Sequence, residues 1–430
     1  MPVNVVIGAQ WGDEGKGRAV DWLASTSDVV ARFAGGDNAG HTVNVGNIVY
    51  KLHLIPSGVL RDGTVCVLGN GMVVNPIKLL EEIDMLRDMG VEITPDRLKL
   101  SSRAHIITPA HILLDTAKEI ARGDNALGTT LRGIGPTYLD KVGRKGIRAE
   151  QMLDIEEFVQ VLQDVVVTTN ERVAAQGVEP VHVNSVTQAY VDAAHRLQPY
   201  ITDTMLFVNE HLEQGSQVLV EGAQGALLDV DHGSYPYVTS SNTTTGGALA
   251  GLGIGPTYVK RVVGVAKSFC TRVGAGPMPT ELNDAVADKL RGTGENFWDE
   301  FGTTTGRKRR CGWLDFVMLK YSIRVNGLTE LTLTKMDILS GFDELKIAIA
   351  YELDGERITS PPSSTSALAH VTPIYETLNG WQEDVTGIRQ FEDLPTNAQQ
   401  YVRRIAELSG IPVTMISVGP EREQLIHVQS

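Results

Sequence analysis

Short runs of apolar and β-branched residues, separated by glycine-rich turns, recur along the chain. Each run has the length of a strand, and continuous apolar runs of this kind fill strands that are buried on both faces of a parallel sheet. The runs lie at 3–7, 29–33, 49–54, 65–68, 218–220, 262–265, 331–334 and 413–417. Residues 77–89 instead repeat apolar side chains at helical spacing. The pattern predicts the α/β fold class, with a large, mostly parallel central sheet flanked by helices and further strands from the later runs in its core.

The middle of the chain has a mainly helical pattern. Residues 105–122 and 150–214 space their apolar side chains as helices do, and Gln, Glu and Ala fill many of the other positions. A chain of 430 residues can bury a large core, and no stretch rich in Pro and Ser divides it. We therefore expect one α/β domain over residues 1–430, with a mainly helical subdomain at about 100–215.

Charge and cysteine content reduce the number of functional classes to which the protein could belong. With 38 Lys and Arg against 52 Asp and Glu, the net charge is −14, which argues against a surface for nucleic acid or an anionic membrane. No apolar stretch approaches the ~18 residues of a membrane span, and we expect no signal peptide. Cys66, Cys270 and Cys311 show no metal-binding spacing. We expect free thiols in a cytoplasmic protein that binds neither nucleic acid nor membrane.

A charged, glycine-rich turn joins the first predicted strand to a helix. It reads Gly-Ala-Gln-Trp-Gly-Asp-Glu-Gly-Lys-Gly over residues 8–17. Glycines let backbone N–H groups converge on an anion, and the helix N-terminus and a lysine add positive charge, so the turn predicts a P-loop-like phosphate site. The Walker pattern is not met, because Gln10 replaces its first glycine and Gly17 its Ser or Thr. Asp13 is then the expected Mg²⁺ ligand, and an ordinary structural turn is the alternative interpretation.

A second motif concerns the base of the nucleotide. Strand 331–334 leads into Lys-Met-Asp. The carboxylate of Asp337 can accept hydrogen bonds from N1–H and the 2-amino group of guanine, whereas adenine would leave the charge unpaired, and such selectivity can reach roughly 10⁴–10⁵-fold. The stem of Lys335 can lie along the base. A surface Lys-x-Asp after any strand is the alternative, but together with the phosphate turn the motif predicts a guanine nucleotide.

Residues 302–310 concentrate four cations in an acidic protein. The flanking glycines favour a mobile clamp for an anion, and guanidinium groups suit carboxylates and phosphates. A solvated loop and a nucleic-acid patch are the alternatives. We predict that this basic segment binds an anionic substrate.

The motifs together resemble the adenylosuccinate synthetase family. The matching stretches occur in family order over almost the whole chain. They are 10–17, 38–42, 52–58, 221–225, 231–233, 235–242, 304–307, 312–315 and 334–337. The resemblance implies a carbon–nitrogen ligase that joins IMP to L-aspartate through a 6-phosphoryl-IMP intermediate, with GTP as phosphoryl donor and Mg²⁺ as cofactor. It also implies a place in purine biosynthesis, at the first committed step from IMP to AMP.

The chemistry of this reaction needs a base and an acid. Removing the N1 proton of IMP draws electrons onto O6, which can then attack the γ-phosphate of GTP in line. Asp13 and His41 have suitable side chains for the base and the acid, although His41 alone would be interpreted as a structural histidine. The resemblance assigns them these catalytic roles, and it makes Asp13 and the carbonyl of Gly40 ligands of Mg²⁺.

The resemblance also implies three sets of binding residues. The GTP set is Gly12, Asp13, Glu14, Gly15, Lys16, Gly17, Arg18, Gly40, His41, Thr42, Arg309, Lys335, Met336, Asp337, Ser417, Val418 and Gly419. The IMP set is Asp13, Glu14, Gly15, Lys16, Asn38, Ala39, Gly40, His41, Thr130, Arg144, Gln224, Thr239 and Arg307. The aspartate set is Thr303, Thr304, Thr305, Gly306, Arg307, Lys308 and Arg309. Because Arg144 would reach the IMP phosphate of the partner subunit, the resemblance implies a homodimer with shared active sites.

Four positions depart from the family pattern. Asp37 stands where His or Asn is usual, Leu131 where Gly is common, Val418 where Thr is common, and Arg18 replaces a lysine. None of these changes removes a proposed catalytic group. Asp37 adds a negative charge close to the phosphate, where it either weakens IMP binding or recruits more metal.

Two other functions remain open at this point. An ATP-dependent amidoligase of the dethiobiotin synthetase type would share the sheet and the phosphate turn, but the missing Walker pattern and the Lys-Met-Asp motif count against it. A regulatory GTPase would hydrolyse GTP slowly without IMP or aspartate, and it would have no use for the basic segment.

Overall fold

The computed structural model describes residues 3–38, 40–45, 48–123, 128–302 and 306–428, and the following statements refer to them. The strands are β1 (Val3–Gly8), β2 (Val29–Arg32), β3 (His41–Val45), β4 (Ile48–Leu52), β5 (Val65–Leu68), β6 (Val73–Val74), β7 (Leu98–Ser101), β8 (His105–Ile106), β9 (Ile201–Thr202), β10 (Val218–Glu221), β11 (Val259–Lys267), β12 (Cys270–Arg272), β13 (Arg310–Gly312), β14 (Leu314–Asp315), β15 (Glu330–Thr334), β16 (Glu344–Leu353), β17 (Glu356–Ile358), β18 (Thr372–Asn379), β19 (Val413–Ser417) and β20 (Leu425–His427). The helices are α1 (Lys16–Ala24), α2 (Pro76–Asp88), α3 (Pro109–Arg122), α4 (Ile134–Val142), α5 (Ile155–Ala174), α6 (Val183–Leu197), α7 (Thr204–Glu213), α8 (Thr245–Leu252), α9 (Ala285–Arg291), α10 (Phe316–Asn326), α11 (Thr365–Leu368) and α12 (Thr396–Ser409).

A ten-stranded sheet forms the centre of the described structure, in the order β20-β19-β15-β11-β1-β10-β2-β5-β7-β9. Neighbouring strands pair in parallel, except that β20 runs antiparallel to β19. The predicted fold class, a large and mostly parallel sheet flanked by helices, is thereby confirmed. Seven of the predicted strand runs correspond to β1, β2, β5, β10, β11, β15 and β19 of this sheet.

The predicted run at 49–54 lies elsewhere. Its strand, β4, pairs antiparallel with β3 in a two-stranded hairpin, and its side chains include exposed as well as buried positions. Exposed positions are typical of a strand with a solvated face, not of a central parallel strand. The expectation that this run belongs to the central sheet is therefore wrong. A smaller sheet in which β16 pairs with β14, β17 and β18 was not predicted.

Helices cover both faces of the central sheet. Side chains of β1 alternate between the faces, so that Val5 and Ile7 belong to one apolar cluster and Val6 to another. Val6 shares its cluster with Val20 and Leu23 of α1. Val5 and Ile7 share theirs with residues of α8, α10 and α12. Burial on both faces explains the continuous apolar run from which this strand was predicted.

The middle of the chain is built mainly from helices. Helices α3, α5, α6 and α7 fall within the ranges 105–122 and 150–214 that were predicted to be helical, and α4 lies between these two ranges. Phe158, Leu162 and Val166 of α5 share an apolar cluster with Tyr190 and Ala194 of α6. The division into one domain with a subdomain at about 100–215 remains a proposal. Across the described ranges, every helix is too short or too polar to cross a bilayer.

The carboxyl ends of the parallel strands meet at one edge of the sheet. Strands β1, β2, β10, β11, β15 and β19 all lead into loops there. Ligand sites of open α/β sheets form at this edge. The glycine-rich turn after β1 and the Lys-Met-Asp motif after β15 are therefore brought to the same side of the molecule.

Candidate active site

A cavity of about 520 Å³ opens at this edge of the sheet. Its wall comes from the turn after β1, the segment after β2 and the loops after β10, β11 and β15. The predicted site residues that line it are Gly12, Asp13, Gly15, Lys16, Gly17, Arg18, Asn38, Gly40, His41, Thr42, Thr130, Gln224, Thr239, Arg309 and Lys335. Residues predicted from distant motifs thus share one cavity.

The two acidic residues of the turn after β1 have different surroundings. The buried carboxylate of Glu14 accepts hydrogen bonds from the backbone N–H of Gln10 at 3.1 Å and of Gly12 at 2.9 Å, and from Lys16 Nζ at 2.7 Å. Glu14 therefore holds the shape of the turn from inside. Asp13 has a φ of 58° and a side chain that is 39% exposed, so its carboxylate is open to the cavity.

Gln10 explains the departure from the Walker pattern. Its Oε1 accepts a hydrogen bond from the backbone N–H of Lys267 at 2.9 Å, and its Nε2 donates to the carbonyls of Lys267 at 3.2 Å and Phe269 at 3.3 Å. These bonds tie the turn to the end of β11, which a glycine could not do. A Cβ on Gly225 would lie 2.3 Å from the Gln10 carbonyl oxygen, so glycine there lets the loop after β10 pack against the turn.

Arg309 links Asp13 to a buried carboxylate. Its Nε donates to Asp13 Oδ2 at 2.8 Å and its Nη1 to Glu300 Oε2 at 2.7 Å. Glu300 also accepts a hydrogen bond from Lys267 Nζ at 2.6 Å, and Lys335 Nζ lies 3.4 Å from its Oε1. Burial by itself would raise the pKa of Glu300, but the three cations outweigh burial and hold this pKa well below its ordinary value.

His41 lies beside another buried carboxylate. It begins β3, and its Nε2 is 3.4 Å from Oε1 of Glu221, the last residue of β10. The other oxygen of Glu221 accepts a hydrogen bond from the backbone N–H of Ser57 at 2.8 Å. Burial raises the pKa of Glu221, against an opposing effect of Arg32. An imidazolium would pair with this carboxylate, and imidazolium is the form of histidine that can act as an acid.

Two amide side chains of the cavity carry buried atoms that lack hydrogen-bond partners among the groups that the structure describes. Oδ1 of Asn38 is buried without a hydrogen-bond partner, and so are Oε1 and Nε2 of Gln224. Gln224 also has a φ of 54°, which is uncommon for a residue with a side chain. A buried polar group without a partner costs about 1–3 kcal/mol. Such groups in a cavity indicate where a polar ligand binds.

Arg18 lies at the part of the site that was predicted to bind guanine. It donates hydrogen bonds to Oγ of Ser417 and to the carbonyl of Gly419, and so joins the start of α1 to the loop after β19. Burial lowers the pKa of Arg18, against an opposing effect of Asp337. Burial likewise raises the pKa of Asp337, against Lys335 and Arg18. The carboxylate predicted to bind guanine is therefore half-buried and lies close enough to two cations for both to lower its pKa.

Several predicted residues do not line this cavity. Of those that the structure describes, they are Glu14, Arg144, Gly306, Arg307, Lys308, Met336, Asp337, Ser417, Val418 and Gly419. Arg307 is exposed, and its Nη1 donates to the carbonyl of Gly128 at 3.1 Å. Arg144 is exposed beyond the end of α4 and has a φ of 58°. The remaining predicted residues, Ala39, Thr303, Thr304 and Thr305, lie outside the described ranges.

Among the buried charged residues at or beside the cavity that sequence reasoning missed are Glu221, Lys267 and Glu300. Glu221 and Lys267 end the apolar strands β10 and β11. A charge at the carboxyl end of a buried strand is a usable signal, because ligand sites form there. Glu300 gives a weaker signal, since it is distinguished in sequence only by its place just before the basic segment.

Asp13 and Gly40, which were predicted to hold Mg²⁺ through a carboxylate and a carbonyl oxygen, both line the cavity. Arg309 pairs with Oδ2 of Asp13, which leaves Oδ1 for a cation. The described residues contain no group of three or more His, Cys, Asp or Glu side chains that could hold a metal ion. Mg²⁺ usually binds through one or two carboxylates together with substrate phosphates, and the donors present fit that mode.

Comparisons with known proteins agree with one another. The family model for adenylosuccinate synthetase matches residues 5–426. The chain is 50% identical to the adenylosuccinate synthetase of Myxococcus xanthus, over 100% of this chain and 99% of the relative. It is 49% identical to that of Caldanaerobacter subterraneus subsp. tengcongensis, over 99% of each. Its structure is similar to that of the fully ligated adenylosuccinate synthetase from Plasmodium falciparum, with a TM-score of 0.94, 40% identity and all of both chains covered.

Proposed function

The chain belongs to the adenylosuccinate synthetase family, and from this premise we propose which of its residues carry out each step. The enzyme joins IMP to L-aspartate, giving adenylosuccinate, GDP and phosphate, and is a carbon–nitrogen ligase of purine biosynthesis. One observation carries the proposal: Asp13, Lys335, Asn38 with its unpartnered Oδ1 and Gln224 with its unpartnered amide all border a single cavity. A purine nucleotide bound there beside a phosphoryl donor would meet a base, a cation and polar contacts for its ring.

In the first step Asp13 takes the proton from N1 of IMP, and the electrons of that N–H bond shift toward O6. O6 then bonds to the γ-phosphorus of GTP as the bond from that phosphorus to the β–γ bridging oxygen breaks, giving GDP and 6-phosphoryl-IMP. The 2.8 Å contact with Asp13 places the cation of Arg309 close to the proposed base, where it could stabilise charge that develops on the phosphate. His41 would stabilise the same charge as an acid, and its position beside Glu221 supports that role.

In the second step the amine of aspartate attacks C6. A C6–N bond forms, the C6–O bond breaks, phosphate leaves with that electron pair, and the nitrogen releases a proton. The basic segment is proposed to hold the two carboxylates of aspartate through Gly306, Arg307, Lys308 and Arg309, together with 303–305. We propose that the residues of the GTP set bind GTP and that those of the IMP set bind IMP.

Mg²⁺ is proposed as the cofactor, held by Asp13 and the carbonyl of Gly40. Bound there, it would neutralise charge on the γ-phosphate. The support is the donor set, since a carboxylate oxygen and a carbonyl oxygen border the cavity and suit a hard cation.

A homodimer with shared active sites is proposed for this chain. Arg144 is exposed and does not line the cavity of its own chain, as expected of a residue that serves the partner. Close by on α4, Leu139 is 57% exposed and Val142 is 74% exposed. Large apolar side chains exposed together favour a contact surface.

We also propose a cytoplasmic location and no nucleic-acid or membrane partner. Cys66, Cys270 and Cys311 are buried free thiols, which suits a reducing compartment. The net charge of −14 is unfavourable for binding to polyanions.

The test follows formation of adenylosuccinate by ultraviolet absorbance, with IMP, L-aspartate, GTP and Mg²⁺ present and each omitted in turn. We expect product only when all four are supplied, and little when ATP replaces GTP. Equal rates with ATP would favour an ATP-dependent amidoligase. GTP hydrolysis that needs neither IMP nor aspartate, without product, would favour a GTPase.

A further inference from the structure

Glu300 is a buried carboxylate for which the reaction steps above give no task. Its side chain is 1% exposed. Oε2 lies 2.6 Å from Lys267 Nζ and 2.7 Å from Arg309 Nη1, and Oε1 lies 3.4 Å from Lys335 Nζ. These cations belong to three separate parts of the chain: the end of β11, the segment before β13 and the loop after β15. One carboxylate therefore joins three parts of the cavity wall.

Backbone hydrogen bonds fix Glu300 and Arg309 side by side. The N–H of Arg309 donates to the carbonyl of Glu300 at 3.0 Å, and the N–H of Glu300 donates to the carbonyl of Arg291 at 2.8 Å. Arg291 Nε in turn donates to the carbonyl of Arg309 at 2.8 Å. One residue further along, Phe301 and Lys308 form an antiparallel bridge. Because the main chain is held at both residues, the side chain of Glu300 can determine the direction in which Arg309 points.

The charges around Glu300 show what its loss would do. Lys267, Arg309 and Lys335 carry three positive charges, and Asp13 and Glu300 carry two negative ones. Without Glu300, Lys267 would be a buried cation with no carboxylate in contact among the described residues, and removing one partner of a buried pair leaves such a charge uncompensated. The three cations would also repel one another more strongly, since the low dielectric of the interior screens them poorly. This repulsion would act to separate Arg309 from Lys335, against the remaining hydrogen bonds of Arg309 to Asp13 and of Lys335 to the carbonyl of Trp298.

We propose that Glu300 is a positioning residue of the ligase: it holds Arg309 against Asp13 and holds Lys335 at the cavity wall. The proposal rests on the functions proposed above for Arg309 and Lys335. Through them Glu300 affects the binding of aspartate and of GTP. None of the three cations paired with Glu300 belongs to the proposed IMP set, so KM for IMP should change less than KM for aspartate and GTP.

The test compares Glu300→Gln with Glu330→Gln in the full-length enzyme. Glu330 is a matched control, since it is also buried (7% exposed) and paired with an arginine, Arg261, but stands at the opposite end of β15 from Lys335. We expect Glu300→Gln to raise KM for aspartate and for GTP by about 10-fold or more each, and KM for IMP by less than about 2-fold. Glu330→Gln should leave all three KM values within about 2-fold of wild type, whatever its effect on Tm.

Two further variants separate positioning from structural support. Glu300→Asp keeps the charge but shortens the side chain by one methylene, so we expect a smaller rise in the same two KM values; it carries the test if Glu300→Gln does not fold. If Glu300 acts through Arg309, adding Glu300→Gln to Arg309→Leu should raise KM for aspartate little further.

Additive effects on KM for aspartate, or a lower Tm with unchanged KM values, would overturn the proposal. Failure of the proposed function itself would be seen separately, because wild-type enzyme would then form no adenylosuccinate.

Discussion

The buried carboxyl group of Asp315 should make the stability of the protein depend on pH. Asp315 precedes α10, is 1% exposed, and accepts a hydrogen bond from the N–H of Met318 at 3.1 Å. The hydroxyl of Tyr351 lies 2.7 Å from one carboxyl oxygen and 2.6 Å from the other. A hydroxyl has one proton to donate. Protonation of Asp315 would let the carboxyl group donate one of these bonds and accept the other, whereas an ionised carboxylate would have to share the single hydroxyl proton between its two oxygens.

The size of the effect follows from the pKa of this group. Burial raises the pKa of Asp315 to about 6 from an ordinary 3.8, although hydrogen bonds from Tyr351 and from the main chain oppose it. Below pH 3.8 both the folded and the unfolded chain hold the proton. As the pH rises, the unfolded chain releases it first, so stability is lost until the pH passes the folded-state value. The difference between the folded-state and unfolded-state pKa values of Asp315 corresponds to about 3 kcal/mol in the free energy of unfolding.

The variant Asp315→Asn removes the contribution of this carboxyl group to the pH dependence of stability. The amide keeps the shape of the side chain, its oxygen can still accept from Met318, and its nitrogen can donate to Tyr351. In urea unfolding, we expect the variant to be more stable than wild type at about pH 7–8, by up to ~3 kcal/mol, and to lose this advantage by about pH 4. Asp154→Asn is the control, because Asp154 precedes α5 in the same capping role but is exposed. A difference between Asp315→Asn and wild type that stays constant over this pH range would refute the reasoning.

Three further predictions address the proposed site. Asp337→Asn replaces one of the two carboxylate oxygens that would accept hydrogen bonds from guanine, so KM for GTP should rise about 10²-fold in steady-state assays. An unchanged KM for GTP, or equal use of ATP, would contradict a role of Asp337 in binding guanine. Arg307→Leu removes a planar guanidinium, so KM for aspartate and for IMP should rise much more than KM for GTP, and a change in the GTP value alone would show that the residue is misassigned. Arg144→Leu should raise KM for IMP about 10-fold or more. Mixing it with Asp13→Ala under subunit exchange should restore roughly a quarter of wild-type activity if sites are shared, and inactive mixed dimers would contradict sharing.

The central sheet could be predicted because its strands are buried on both faces. Burial of that kind leaves a continuous apolar run in the sequence, as in β1. Strand β18 lacks this signal, since most of its side chains are half-buried or exposed and it contains Thr, Glu and Asn. Its place in the structure depends on pairing with β16. A strand defined by its partner more than by its own burial cannot be recognised from local pattern.

Candidate residues that line the cavity could be named from sequence where a motif is local, but contacts between distant segments could not be predicted. Asp13 and Lys335 each lie in a short segment whose residue types already suggest phosphate or base binding. The contact of Arg309 with Asp13 joins residues that are 296 positions apart, and no periodicity or spacing connects them. Glu300 depends on three such long-range contacts at once. Its surroundings could be known only after the strands had been ordered in the sheet.

Asp37 shows why a single departure from a family pattern cannot be judged alone. From sequence, its negative charge was expected either to weaken IMP binding or to recruit more metal. In the structure Asp37 is buried and its Oδ2 accepts a hydrogen bond from Arg132 Nη1 at 2.9 Å, across 95 residues of sequence. A buried carboxylate that is paired with an arginine adds little net charge to its surroundings. Since Arg132 belongs to the loop that also carries Thr130, the pair joins two segments of the proposed IMP site, and we expect Asp37 to hold them together more than to repel the phosphate.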